Sequence, residues 1–188
     1  MVENEPQLIA SAREGDKAAF AALYGHYVPQ IYRFVLLKTG SKLEAEDLTH
    51  DVFLSAWQNI AAYTHRGFPF SSWLYSIARN KIIDYYRTRK TVQPIDEAVE
   101  AVADLAAHTE NTADEALALL RVKEAMRELS DEHQNILIMR FVEDMAPKDI
   151  ADALGKSEGA VRLMQHRAIK NLRAILSLQP DNNEDTLI

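Results

Sequence analysis

The stretch from Thr91 to about Ala113 limits what this chain can fold into. It is Ala-rich and acidic, and it lacks the regular apolar spacing of a buried helix or strand. Such a segment is too poor in large apolar residues to make a core and reads as a linker. On both sides of it, apolar residues recur at three- and four-residue steps, the period of an amphipathic helix. A chain of 188 residues can bury one ordinary core or two small ones, and the interruption selects two. Ala and Leu dominate the apolar set, with Gly and Pro sparse at six each, which favours helices over strands. The expected fold is all-α: two small helical domains joined by a flexible acidic linker, the C-terminal one containing a helix-turn-helix. Domains are expected over 1–90 and 114–178, the linker over 91–113 and a disordered acidic tail over 179–188.

Charge follows the same blocks. The formal net charge of −7 argues against nucleic acid only if charge is spread evenly, and it is not. Arg66, Arg79, Lys81, Arg87, Arg89 and Lys90 face a single acid, Asp84, over residues 66–90. Lys156, Arg162, Arg167, Lys170 and Arg173 face only Glu158 over residues 156–173. Between Thr91 and Leu120 there is no Lys or Arg, but there are seven acids. Two basic segments flanking an acidic one point to two nucleic-acid contacts.

The first block reads as a run of helices from Asp16 to Lys90. Asp16 can cap a helix carrying Phe20, Leu23, Tyr27, Ile31, Phe34 and Leu37 on one face. Gly40 punctuates, and Ser41 can cap a second helix whose apolar face is Leu48, Val52 and Ala56, with Phe53, Trp57 and Ile60 beside it. Gly67 and Pro69 mark a loop. A long helix follows, with Leu74, Ala78, Ile82 and Tyr85 on one face and Asn80, Asp84 and Arg87 on the side of Trp73 and Ile77. Its mixture of aromatic and basic residues suits single-stranded nucleic acid, although Trp73 at this spacing is more often core, and Tyr75, Tyr85 and Tyr86 read as packing before stacking. After the linker come a helix holding Leu117, Leu120, Val122, Ala125, Met126 and Leu129, a second capped by Ser130, and two short helices.

Those last two carry the most information. In MAPKDIADALGKSEGAVRLMQHRAIKNLR, Pro147 suits a first helical turn, Gly155 a left-handed stop and Ser157 the next N-cap. This is the pattern of a helix-turn-helix, whose second helix enters the major groove. At about 100° per residue, Val161, Met164, Ala168 and Leu172 share the core side, while Arg162, Leu163, His166, Arg167, Lys170 and Arg173 face out. Arg reads guanine bidentately, the other cations suit phosphates, and Leu163 fits a thymine methyl. Gly159 would let backbone or phosphate approach closely. A helix-turn-helix alone fits several kinds of regulator.

The segments AEDLTHDVFLSAWQNI and FSSWLYSIARNKIIDYYRTRK, taken with this helix-turn-helix, resemble the extracytoplasmic-function (ECF) sigma factors, the group IV alternative sigma factors of bacterial RNA polymerase. The likeness covers about residues 8 to 176. It implies a factor that binds RNA polymerase core, recognises −10 and −35 promoter elements and promotes DNA melting for transcription initiation. The implied partners are polymerase core (its β′ clamp coiled coil and β flap), promoter DNA and an anti-sigma factor, with no small-molecule substrate and no cofactor. Core contacts would come from Asp47, His50, Asp51 and Leu54. His50-Asp51 stands where the family usually has Gln-Glu. The −10 element would meet His65, Arg66, Phe68, Trp73, Arg79, Asn80, Lys81, Arg87, Arg89 and Lys90, with the loop Tyr63–Phe68 shaping a pocket for a flipped base. The −35 element would meet Lys156, Ser157, Gly159, Arg162, Leu163, His166, Arg167, Lys170 and Arg173. Ala146, Leu163, Met164 and Gln165 depart from the family's usual residues, so the −35 preference is expected to differ from that of better-known members. The acidic linker would thread toward the polymerase's RNA exit path.

Nothing in the sequence suggests an enzyme. There is no Cys, hence no disulfide or thiolate chemistry, and neither an HExxH spacing nor a GxxxxGK[ST] loop occurs. Asp47 and Asp51 make a docking face more readily than a metal pair. No apolar run reaches the roughly 18 residues needed to span a bilayer, and the acidic N-terminus lacks a signal-peptide core. A cytoplasmic location is expected, with an anti-sigma factor able to hold the protein at the membrane. Two other classes remain: a helix-turn-helix regulator acting without polymerase, and an adaptor that keeps the shape without promoter activity.

Overall fold

A computed structural model of the chain describes residues 4–65, 67–88 and 113–178. In order they form α1 (Glu5–Arg13), α2 (Lys17–Thr39), α3 (Lys42–Asn59), a 3-10 turn (Ile60–Ala62) and α4 (Phe70–Thr88). After the linker come α5 (Ala113–Arg127), α6 (Asp131–Leu137), one π turn (Ile138–Val142), α7 (Pro147–Leu154) and α8 (Glu158–Leu178). No strand occurs among the described residues. The all-α, two-domain expectation holds. The linker up to Thr112 and the tail from Gln179 lie outside the described residues, as do Arg66, Arg89 and Lys90.

Local chemistry accounts for the boundaries. The Asp16 carboxylate accepts from the N–H groups of Ala18 (2.8 Å) and Ala19 (3.2 Å) and so starts α2. Gly40, at φ +75°, ends it in the left-handed conformation. Ser41, Ser130 and Ser157 accept from the backbone N–H three residues on, starting α3, α6 and α8. Gly155, at φ +63°, closes α7. Ala146 offers no side-chain cap, yet its carbonyl accepts from the N–H groups of Asp149 and Ile150, so α7 begins at Pro147 without one.

The helical faces bury as their spacing predicts. Leu23, Tyr27, Ile31 and Phe34 of α2, Leu48, Val52 and Ala56 of α3, and Leu74, Ala78 and Ile82 of α4 are all buried. At about 1.5–3 kcal/mol per large apolar side chain, this first core carries most of the fold's driving force.

Four features depart from expectation. The N-terminal segment forms a helix, α1, against α2. Its signal was Pro6 in the first turn with Ile9 and Ala12 three apart, both buried. Val122 points outward on α5. The helix capped by Ser130 widens into a π turn that leaves Phe141 and Val142 exposed. The second helix of the helix-turn-helix runs for 21 residues and is not short. Beyond these, the two halves touch: Ile136, Ile138, Met139, Met145, Ile150, Ala153 and Leu154 join one apolar cluster with α1–α4. A second, smaller cluster of Leu129, Leu137 and Ala168 holds the far end of α8.

Candidate nucleic-acid interface

On α8, Val161 and Ala168 are fully buried while Met164 and Leu172 are half-buried. Arg162, Leu163, His166, Arg167, Lys170 and Arg173 are all exposed, with Leu163 half in solvent at 50%. An open concavity is lined by His166, Ile169, Lys170 and Arg173. A face of permanent cations with one exposed leucine matches the chemistry of a duplex groove, where guanidinium groups meet guanine or phosphate. Ser157 spends its hydroxyl on capping α8. A Cβ on Gly159 would meet nothing within 4 Å, so the free chain does not require glycine there.

Two of the cations are not free to act at once. The Arg162 guanidinium donates to the Glu158 carboxylate (2.6 Å), and Lys156 pairs with Glu132 (2.9 Å). Sequence spacing showed Glu158 one turn before Arg162, but only the structure shows the pair formed. Exposed pairs of this kind contribute little to stability and exchange readily for a stronger anionic partner.

The surface of α4 is built differently. Asn80 and Arg87 are exposed, Arg79 and Lys81 half-buried, and Arg87 pairs with Asp84 at 3.1 Å. Trp73 is half-buried, its ring 4.8 Å from that of Tyr63 and 5.4 Å from that of Phe70. Tyr63 also meets Phe70 edge-on at 5.3 Å. These rings form the wall from which the preceding loop leaves, with Phe68 half-buried and His65 exposed. Tyr75 is buried and serves packing, whereas Tyr86 is half exposed and donates its hydroxyl to the Lys38 carbonyl (2.8 Å).

Glu5 is a residue that sequence reasoning missed. Buried on α1, its carboxylate accepts from the Phe70 N–H (3.4 Å) and from the Tyr27 hydroxyl. It ties the N-terminal helix to the start of α4, where a carboxylate is favoured by the helix dipole. Burial, and then the Glu5 hydrogen bond, push the Tyr27 phenol well above its ordinary pKa.

On α3, Asp47, His50 and Asp51 are exposed together with Leu54, 45% in solvent. An acidic face with two exposed leucines, Leu43 and Leu54, suits a protein partner with basic and apolar groups better than it suits DNA. Among the described residues, no group of three or more His, Asp or Glu side chains could hold a metal ion, and no helix is long and apolar enough to cross a membrane.

A two-part helical protein with a cationic helix-turn-helix, a second aromatic-basic helix and a separate acidic face has the layout of a transcription initiation factor. The family models agree: Sigma-70 region 2 matches residues 23–92 and Sigma-70, region 4 matches residues 125–174. The ECF RNA polymerase sigma factor SigD of Mycobacterium tuberculosis is 32% identical over 173 residues, covering 88% of this chain and 81% of that protein. The ECF RNA polymerase sigma factor BldN of Streptomyces coelicolor is 31% identical over 172 residues; the match takes in 90% of this chain and 65% of BldN's own length. Among solved structures, CnrH in complex with the cytosolic domain of CnrY superposes with a TM-score of 0.72 at 24% identity, covering 95% of this chain and all of that one. The chain belongs to the ECF RNA polymerase sigma factors.

Proposed function

We propose that the chain is an alternative sigma factor that binds RNA polymerase core through α3, meets the −10 element with α4 and the loop before it, and meets the −35 element with α8. The observation that carries the reading is the sorting of α8: Val161 and Ala168 turn inward while Arg162, Leu163, His166, Arg167, Lys170 and Arg173 all stay exposed. In this reading Arg162, His166 and Arg167 contact base edges, and Lys170, Arg173 and Lys156 sit on phosphates. Asn80 and Arg79 contact −10 bases or sugars, Lys81 and Arg87 hold the backbone, and Tyr63–Phe68 shape the base pocket. Asp47, His50, Asp51 and Leu54 dock on the β′ clamp coiled coil, with the β flap as the second polymerase contact. The protein then works in the cytoplasm, on cofactor-free binding chemistry. An anti-sigma factor is the third partner we propose, supported by the CnrH fold having been solved with the cytosolic domain of CnrY bound.

Flipping a base costs a few kcal/mol per unstacked step, and a free chain of net charge −7 has little overall attraction to DNA to set against it. Polymerase must share that cost, so the isolated protein is expected to bind promoter DNA weakly. The test is run-off transcription with purified chain and core polymerase on fragments of the host genome. Promoter-specific transcripts are expected; folded protein that yields none from any fragment overturns the reading.

A further inference from the structure

Pro69, the residue before α4, has no side-chain acceptor, so it cannot cap the helix as Asp16 and Ser41 cap theirs. The first N–H groups of a helix have no partner within it and need one from elsewhere. For Phe70 the acceptor comes from 65 residues away. One oxygen of the Glu5 carboxylate accepts from the Phe70 N–H (3.4 Å), and the other accepts from the Tyr27 hydroxyl. Glu5 is 7% exposed, so a donor that lost it would find little water in its place.

What Glu5 and its helix hold is the rim of a loop. Before the loop, the 3-10 turn Ile60–Ala62 packs on α1, and the Tyr63 N–H donates to the Ile60 carbonyl (3.0 Å). After the loop, Phe70 donates to Glu5. Ile9 and Ala12 of α1 are buried in the same apolar cluster as Ile60, Tyr63 and Phe70. The Tyr27 ring lies 5.7 Å from that of Phe70, which in turn meets Tyr63 and Trp73. Burial, and then the Glu5 charge, raise the Tyr63 phenol above its ordinary pKa. Both ends of residues 63–70 are thus fixed to one short helix, while Thr64, His65 and Gly67 between them are exposed. An apolar side chain at position 5 would serve packing alone, because burying a carboxylate costs free energy that its hydrogen bonds must offset. What the carboxylate adds is direction. It fixes where the first turn of α4 stands relative to Tyr27.

We propose that Glu5 is a positioning residue for promoter opening: by bridging the Tyr27 hydroxyl and the Phe70 N–H, it sets the Tyr63–Phe70–Trp73 wall where the loop Tyr63–Phe68 receives an unstacked −10 base. The proposal rests on the −10 assignment above. Helix α1 then belongs to the base pocket although none of its residues touches DNA. A wall set in advance spares the complex the ordering of those side chains when the base arrives.

Trp57→Phe leaves Trp73 as the sole tryptophan, so its emission reports the wall in the free full-length chain. In that background, Glu5→Ala removes the bridge and Tyr27→Phe removes half of it. Glu5→Gln keeps an acceptor for Phe70 and an amide that can donate to Tyr27, and serves as the rescue. With core polymerase, 2-aminopurine is placed in the −10 element of a promoter that the native chain transcribes, and its fluorescence is read per bound complex. Glu5→Ala is expected to shift Trp73 emission and to lower the 2-aminopurine signal and the rate of opening about tenfold. Tyr27→Phe should lower them about threefold, and Glu5→Gln should return toward native values. Affinity for core should stay native. A general loss of stability would instead lower the amount of complex and leave the signal per complex unchanged. If Glu5→Ala fails to fold, Tyr27→Phe decides. A native signal per complex in the folded variants, or Glu5→Gln no better than Glu5→Ala, overturns the proposal. Absence of any promoter-specific transcript from the native chain would sink the sigma assignment instead, and Trp73 emission in the free chain is read apart from it.

Discussion

The two basic helices, α4 and α8, solve the same problem in opposite ways. The outer face of α8 is independent of its inner one: Val161 and Ala168 anchor it, and every residue proposed to touch DNA lies in solvent. On α4 the same stretch serves both purposes. Phe70 and Tyr75 are core, Trp73 is a half-buried wall, and the other half of the chain sits on the helix's first turns. Under the proposed assignment, the helix given to duplex DNA is carried on a thin helix-turn-helix, whereas the surface given to opened DNA stands on an aromatic wall packed from behind.

The sharpest way to break the comparison is Phe70→Ala. This buried ring meets Tyr27, Tyr63 and Trp73, and its loss should cost about 3–5 kcal/mol, read as a lower urea midpoint together with lost −10 function. Retained stability would mean that the wall is not structural. On α8 the two effects should separate. Arg167→Ala is expected to cost about 1–3 kcal/mol of base discrimination at one −35 position while leaving the melting temperature unchanged. A fall in stability there would contradict the independence of the two faces.

Smaller effects sharpen the same point. Glu158→Gln releases Arg162 from an exposed i, i+4 pair, and pairs of this kind are worth about 0.3–0.5 kcal/mol. Binding to −35 duplex in the polymerase complex should therefore tighten about twofold, with no change if Arg162 makes no DNA contact. The smallest effect concerns α5, which packs along α8. Burial, aided by Arg127, pushes the Lys123 ammonium down to about 8 from its ordinary 10.5. Below pH 8 both folded and unfolded chains hold the proton. Between about 8 and 10.5 the unfolded chain holds more, so this group makes stability rise with pH. Lys123→Met should remove that rise in denaturation curves taken across the window.

By itself the sequence determined the helices, their faces and most of their ends. These depend on residues within a turn or two of one another: Asp16 with the next N–H groups, Gly155 at φ +63°, and Val161 seven residues from Ala168. The outward face of α8 was legible for the same reason, since a 3.6-residue period needs no distant partner. Helix α1 was faint because its value depends on Glu5 reaching Tyr27 and Phe70, 22 and 65 residues away. Only the tertiary structure decided which cations are already paired and how the halves meet. Arg33 and Glu143 are 110 residues apart with the linker between them, so no local pattern marks the pair. It exists because burying the apolar faces of α2, α4, α6 and α7 together brings the two charges to one place, where the half-exposed Arg33 compensates the buried Glu143 for lost water.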